Sequence, residues 1–152
     1  MPIPTIDEQT RLTISNKSFS IYTPFTDPEA LDPYFFDPGY TLAAQTAHSI
    51  WEGANIFLNF LTHQPNLQSL LQKYKSIELG TGTGVCGIGI GVIGGSCLLT
   101  DINSTLSTAR TNVLLNFKKE SWDGNSGCAV QALDWSDLDF DMSGLRNVKD
   151  AR

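Results

Sequence analysis

The stretch Ser76-Ile77-Glu78-Leu79-Gly80-Thr81-Gly82-Thr83-Gly84 decides how this chain folds. An apolar segment runs into a carboxylate, then into three glycines separated by single residues. Glycine enters backbone conformations closed to other residues and has no side chain to hold a ligand off. With Ile77-Glu78-Leu79 as a buried strand, the glycines form the tight turn after it. The segment from Val85 to Gly94 then opens a helix whose unpaired N–H groups face a ligand. Strand, glycine turn and helix in this order bind nucleotide-like molecules at the carboxyl ends of parallel strands.

Working outward, residues 11–22 alternate apolar and polar around Ser15-Asn16-Lys17-Ser18 and read as a hairpin. Pro24, Pro28, Pro33 and Pro38 make an irregular arm. From Thr41 to His63, Ile50, Ala54, Phe57, Leu58 and Leu61 recur at helical spacing, predicting one amphipathic helix ended by Pro65. A short helix, Leu67 to Tyr74, leads into the first strand. A second strand, Cys97 to Thr100, ends on Asp101. Asn103 or Ser104 caps the next helix, which buries Leu106, Ala109, Val113, Leu114 and Phe117. A third strand, Cys128 to Leu133, closes on Asp134-Trp135. Helix and strand alternate throughout, which predicts an α/β fold with a parallel sheet and right-handed crossovers.

The chain has 152 residues, 41% hydrophobic and 17% charged, enough for one domain with a real core. A net charge of −6 excludes nucleic acid as an expected partner. No apolar run approaches the roughly 20 residues that span a bilayer, so no membrane association is expected. The N-terminus lacks a basic head before an apolar segment and does not read as a secretory signal. Cys86, Cys97 and Cys128 are scattered and odd in number. That argues against a disulfide framework or a zinc site, and for a reducing compartment, the cytoplasm or the nucleus.

Several residues carry candidate chemistry. Gly82-Thr83-Gly84-Val85-Cys86-Gly87 also satisfies the dinucleotide pattern G-x-G-x-x-G, so a nicotinamide dinucleotide is one candidate ligand. Asp101 lies 17 residues after Gly84, a spacing that lets an acid accept from both ribose hydroxyls. It could equally cap the following helix. Glu78 tilts the reading away from a dinucleotide, because a charge at a buried strand end is costly unless paired. A ligand with an ammonium group would use it. Cys86 sits where a helix N-terminus can lower its pKa, or it simply packs. His48 and His63 have no acid–base partners in the pattern and read as structural or surface groups.

These motifs together resemble the seven-strand S-adenosylmethionine methyltransferases, and within them the protein-lysine methyltransferase group. Ile77-Glu78-Leu79-Gly80-Thr81-Gly82-Thr83-Gly84 is similar to their first motif. Ile50-Trp51-Glu52-Gly53-Ala54 with Leu58-Asn59-Phe60-Leu61 is similar to their tryptophan-bearing helix. Leu99-Thr100-Asp101, with Leu106 and Asn112-Val113-Leu114-Leu115-Asn116, is similar to the second-strand motif and its helix. Leu133-Asp134-Trp135 is similar to the motif closing the third strand.

The resemblance implies S-adenosyl-L-methionine as cofactor, a lysine side chain of a protein as acceptor, and a Rossmann-like sheet. It implies that Glu78, Gly80, Thr81, Gly82 and Gly84 hold the methionine end, and that Asp101 takes the ribose. Asp134 and Trp135 would line the adenine, and Trp51 would close over the cofactor. Trp51 as plain core and Asp134 as a solvated acid are the competing readings. No residue is assigned a catalytic role.

The chain departs from the family in two ways. Glycines crowd the helix after the loop, each costing roughly 0.8–1.0 kcal/mol relative to alanine. The family continues with further strands, whereas Arg152 follows soon after the third strand here. The expectation is therefore a truncated, incomplete sheet of about three core strands, with Ile77–Leu79 as an exposed apolar edge. It divides into an arm (1–40), a cofactor-binding half-domain (41–135) and an acidic irregular tail (136–152). A cofactor-binding or partner-binding module without catalysis and an NAD(P)-binding oxidoreductase fragment are the alternative functions.

Overall fold

The structure, a computed structural model, describes residues 9–24 and 47–135. The proline-rich arm beyond Pro24, residues 41–46 of the expected helix and the acidic tail after Trp135 lie outside the described residues. Strands β1 (Gln9–Ile14) and β2 (Lys17–Tyr22) form an antiparallel hairpin. Helices α1 (Glu52–Thr62) and α2 (Pro65–Lys73) lead to strand β3 (Lys75–Leu79). Then follow α3 (Val85–Val92), β4 (Ser96–Asp101), α4 (Leu106–Asn116) and β5 (Gly127–Ala132). The second sheet has the order β3-β4-β5, all parallel. An α/β architecture with a three-strand parallel sheet is therefore what the chain forms. No described helix is long and apolar enough to cross a membrane.

The central strand β4 is buried along almost its whole length, as a strand flanked on both edges and covered by helices should be. Cys97 and Leu99 of β4 join Val130 and Cys128 of β5 in one core with Ile88 of α3, Ala109 and Val113 of α4 and Leu58 of α1. β3 behaves differently. It pairs only with β4 among the described residues, and Ile77 and Leu79 remain 44% and 60% exposed. The expected apolar edge is thus present.

Several local expectations are corrected. The hairpin turn has two residues, not four: Ser15 and Asn16 both take positive φ, 47° and 65°, which matches the twist of the strands they join. The single helix expected from Thr41 to His63 is broken, because Trp51 is extended (φ −78°, ψ 148°) and α1 starts only at Glu52. Pro65 occupies the first turn of α2, where its missing N–H costs nothing. Neither Asn103 nor Ser104 caps α4; Thr105 precedes it without a side-chain cap, and Leu114 is exposed rather than buried.

Two asparagines on α4 fasten the hairpin. Asn112 accepts from Tyr22 N–H (2.6 Å) and donates to Tyr22 C=O (3.0 Å). One turn on, Asn116 accepts from Ser20 N–H (2.9 Å) and donates to Ser20 C=O (2.6 Å). The outer edge of β2 is thereby satisfied by side chains instead of another strand.

The glycines of α3 have a packing reason that propensity alone hides. A Cβ at Gly87 would lie 2.6 Å from Oε2 of Glu78, and one at Gly89 would lie 2.5 Å from Cδ2 of Leu58. One at Gly91 would lie 2.8 Å from the Phe117 ring. Three faces of the helix thus approach the sheet, α1 and the end of α4 more closely than any side chain allows. The helix then ends on Gly94 at φ +105°, with Gly95 N–H bonded to Ile90 C=O and Gly94 N–H to Gly91 C=O. That double bond pattern is the usual glycine stop.

A first prediction follows for Gly87→Ala. On helix propensity alone it should stabilise by about 1 kcal/mol. Overpacking against Glu78 and Leu99 costs roughly 1–3 kcal/mol. Net destabilisation is expected, read as a lower urea midpoint, and a raised midpoint would refute the packing account.

Candidate functional site

Register places two carboxylates at neighbouring strand ends. Glu78 stands level with Leu99 on β4, and Asp101 is the last residue of β4. The loop between β3 and α3 turns through Gly80, Gly82 and Gly84, all at positive φ (65°, 53° and 86°). Its turn is closed by Gly84 N–H to Thr81 C=O, and it is tied to β4 by Thr81 N–H to Thr100 C=O, both at 2.9 Å.

Both carboxylates brace this loop. Asp101 Oδ2 accepts from Gly82 N–H and Oδ1 from Ile102 N–H, each at 2.8 Å. Glu78 Oε2 accepts from the Thr81 hydroxyl (2.6 Å) and from Gly87 N–H (3.0 Å). Gly84, at the cap of α3, has no side chain with which to satisfy that third N–H of the helix. Glu78 reaches across from β3 and does so instead. Its other oxygen, Oε1, takes no hydrogen bond among the described residues.

Burial pushes the Glu78 carboxyl up from the usual 4.5 to about 6, against the lowering effect of the Thr81 and Gly87 bonds; the charge of Asp101 adds to the rise. The folded state therefore holds this proton more tightly than the unfolded chain. The resulting stabilisation is complete below pH 4.5 and is lost as pH rises through 6. Ionising the group costs the folded state about 2 kcal/mol at neutral pH. Glu78→Gln removes this titration. Unfolding free energies measured from pH 4 to 7.5 should show wild type losing about 2 kcal/mol relative to the variant across that window. Parallel curves would contradict the assigned environment.

These groups line a cleft of about 400 Å³ beneath the carboxyl ends of β3 and β4, within the roughly 300–1,000 Å³ typical of small-molecule sites. Six residues expected at the site line it: Trp51, Glu78, Gly80, Thr81, Gly82 and Asp101. Trp51 is 60% exposed, so it is not core. Its extended backbone sets the indole at the cleft wall, just ahead of α1. Gly84, Asp134 and Trp135 do not line the cleft. Gly84 lies over the core, where a Cβ would meet Leu99 at 2.8 Å. Trp135 stands beside the rim, its ring 3.3 Å from where a Gly80 Cβ would be. Asp134 is exposed at the chain's exit from β5.

Sequence reasoning missed Ala47, Ser49, Ala54, Thr83, Val85 and Cys86, which complete the lining. The wall at 47–49 is pinned by His48, a buried residue whose Nδ1 lies 2.9 Å from the Thr108 hydroxyl. His48 is thus structural. His63 closes α1 against Asn59 C=O at 2.8 Å. Cys86 is not activated: burial first, and then the charge of Glu78, push its thiol up to about 12.

The lining holds two carboxylates and, among the described residues, no lysine, arginine or histidine. Such a cleft attracts cations and repels phosphates.

Residues 40–149 match the family described as lysine methyltransferase. The chain is also 33% identical over 89 residues to EEF1A lysine methyltransferase 3 of Xenopus tropicalis. That match covers 59% of this chain and 36% of the relative, so the chain spans only about a third of the curated protein that it resembles. The fold, the glycine loop with its two braced acids and the family match over most of the sequence agree. This chain belongs to the lysine methyltransferase family.

Proposed function

We propose that the cleft binds S-adenosyl-L-methionine and that the chain is the cofactor-binding part of a protein-lysine N-methyltransferase. One observation carries this reading: two strand-end carboxylates face the cleft, with no cationic side chain beside them among the described residues. S-adenosylmethionine is a cation with an ammonium group, two ribose hydroxyls and no phosphate. A dinucleotide would set its diphosphate against two acids. The uncommitted Oε1 of Glu78 suits the ammonium, which would also recover the cost of burying that charge.

Asp101 has lone pairs left on both oxygens for ribose hydroxyls, while its backbone bonds fix its rotamer. The glycine backbone lets a ligand approach the loop, and the Trp51 indole offers a flat apolar wall. Trp135, next to the rim at Gly80, would extend this wall toward the base, with Asp134 as its neighbour in sequence.

When bound, S-adenosylmethionine supplies an electrophilic methyl group on a sulfonium sulfur. The protein's part is positioning and exclusion of water rather than strong base catalysis. The acceptor is a lysine side chain of a protein, in keeping with the family and with the relative's name. The three free cysteines fit a reducing compartment, the cytoplasm or the nucleus.

Calorimetric titration of the folded chain with S-adenosylhomocysteine and, separately, with NAD tests the reading. Saturable heat with the first alone is expected. Heat with NAD alone, or with neither, would overturn it. A second reading, a module that binds the cofactor without transferring methyl groups, is favoured by the edge of β3 that is unpaired among the described residues. Binding without transfer of labelled methyl to any protein of a cell extract would select it.

A further inference from the structure

The hairpin has two outer edges, and among the described residues only one of them is filled. On β2, Asn116 and Asn112 each grip both polar groups of one peptide residue, Ser20 and Tyr22. The match is geometric. Four residues of helix rise about 6 Å, and two residues of antiparallel strand advance about 6.8 Å. A helical asparagine pair therefore reads alternate residues of an extended chain.

Among the described residues, β1 pairs only with β2. Beside it runs a second cleft of about 480 Å³, between the β1 end of the hairpin and α1. Its helical wall carries Asn55 and Asn59, again four residues apart. Among the described residues, no hydrogen bond engages either carboxamide. The Thr62 hydroxyl accepts from Ser15 N–H (3.2 Å) and donates to Leu58 C=O (2.9 Å), which holds the two walls together. The Ser15 hydroxyl, part of the same lining, is buried without a hydrogen-bond partner among the described residues. Arg11 is the one charged group of the lining and has no ion pair among the described residues, in a chain of net charge −6. No aromatic ring lines the cleft, so it offers no platform for a sugar face.

We propose that the β1–α1 cleft binds an extended polypeptide segment carrying an acidic side chain, with Asn55 and Asn59 gripping alternate peptide groups and Arg11 pairing the carboxylate. The segment lies along the open edge of β1, as strand-adding peptides do. The device copies the one with which α4 holds β2. Cofactor binding plays no part in it, so the two proposals stand or fall separately.

The test uses the isotope-labelled full chain and the blocked peptide acetyl-Thr-Glu-Thr-Glu-Thr-amide, followed by NMR. The side-chain amide signals of Asn55 and Asn59 should shift in a saturable way. The same peptide with lysine in place of glutamate should bind about tenfold more weakly. Arg11→Glu should reverse that preference, and Asn59→Ala should weaken both peptides several-fold; each variant's own spectrum reports that it is folded. No shift at millimolar peptide, equal shifts from both peptides, or indifference to Arg11→Glu would overturn the proposal. So would the same shifts from a neutral oligosaccharide in place of the peptide.

Discussion

Replacing Asn112 by alanine should destabilise the fold by about 3–5 kcal/mol, a large share of the roughly 5–15 kcal/mol that holds a domain together. Asn112 is fully buried. Besides both polar groups of Tyr22, its amide serves Thr83 C=O in the glycine loop at 2.9 Å. Removing the side chain deletes its bonds to two carbonyls and one N–H, and a buried polar group that loses its bond costs about 1–3 kcal/mol. Water entering the vacated space offsets part of this. Urea unfolding measures the loss. Asn112→Asp separates hydrogen bonding from volume: it keeps the acceptor for Tyr22 N–H, loses both donated bonds and buries a charge. It should therefore be at least as damaging as alanine. If either variant lay within about 0.5 kcal/mol of wild type, the asparagine would not be the link that joins hairpin, α4 and loop.

Asp101→Ala should lower affinity for S-adenosylhomocysteine by about a hundredfold or more. In the proposed binding mode Asp101 makes two charge-assisted hydrogen bonds to ribose, each worth about 1.5–3 kcal/mol, and the variant loses both. The variant also frees Gly82 N–H, so the loop is less well organised before binding. Asp101→Asn distinguishes these contributions. Its amide oxygen can still hold Gly82, so loss of binding there reports on the ribose contact rather than on loop disorder. Titration calorimetry reads both variants, with the unfolding midpoint as a check on the fold. Unchanged affinity in both would place the ligand elsewhere.

Much of this architecture was legible in the sequence because its determinants are local. Ile77-Glu78-Leu79 followed by alternating glycines specifies a strand and a turn. The apolar run Cys97 to Leu99 specifies a central buried strand, and its last residue had to be near the loop. The roles of the acids were only half legible. Glu78 and Asp101 stood out as ligand-facing groups, yet both also brace the loop, through bonds that cross 9 and 19 residues of sequence.

What escaped the sequence was non-local. The value of Asn112 depends on Tyr22, 90 residues away. The glycines of α3 looked like defects until Glu78, Leu58 and Phe117 were seen to occupy the space beside them. Helical periodicity carried the first long helix through Trp51, because apolar spacing does not register an extended residue. Leu114 met the apolar pattern of α4 but points away from the core, where Val113 and Ala109 already fill the space.

The most direct test is an NMR titration of the labelled chain with S-adenosylmethionine. The amides of Gly80 and Gly82, the indole N–H of Trp51 and the carboxylate of Asp101 should respond together, while Arg11 and Asn59 stay still. Silence at the loop and Trp51, or a response there to NAD alone, would contradict the account.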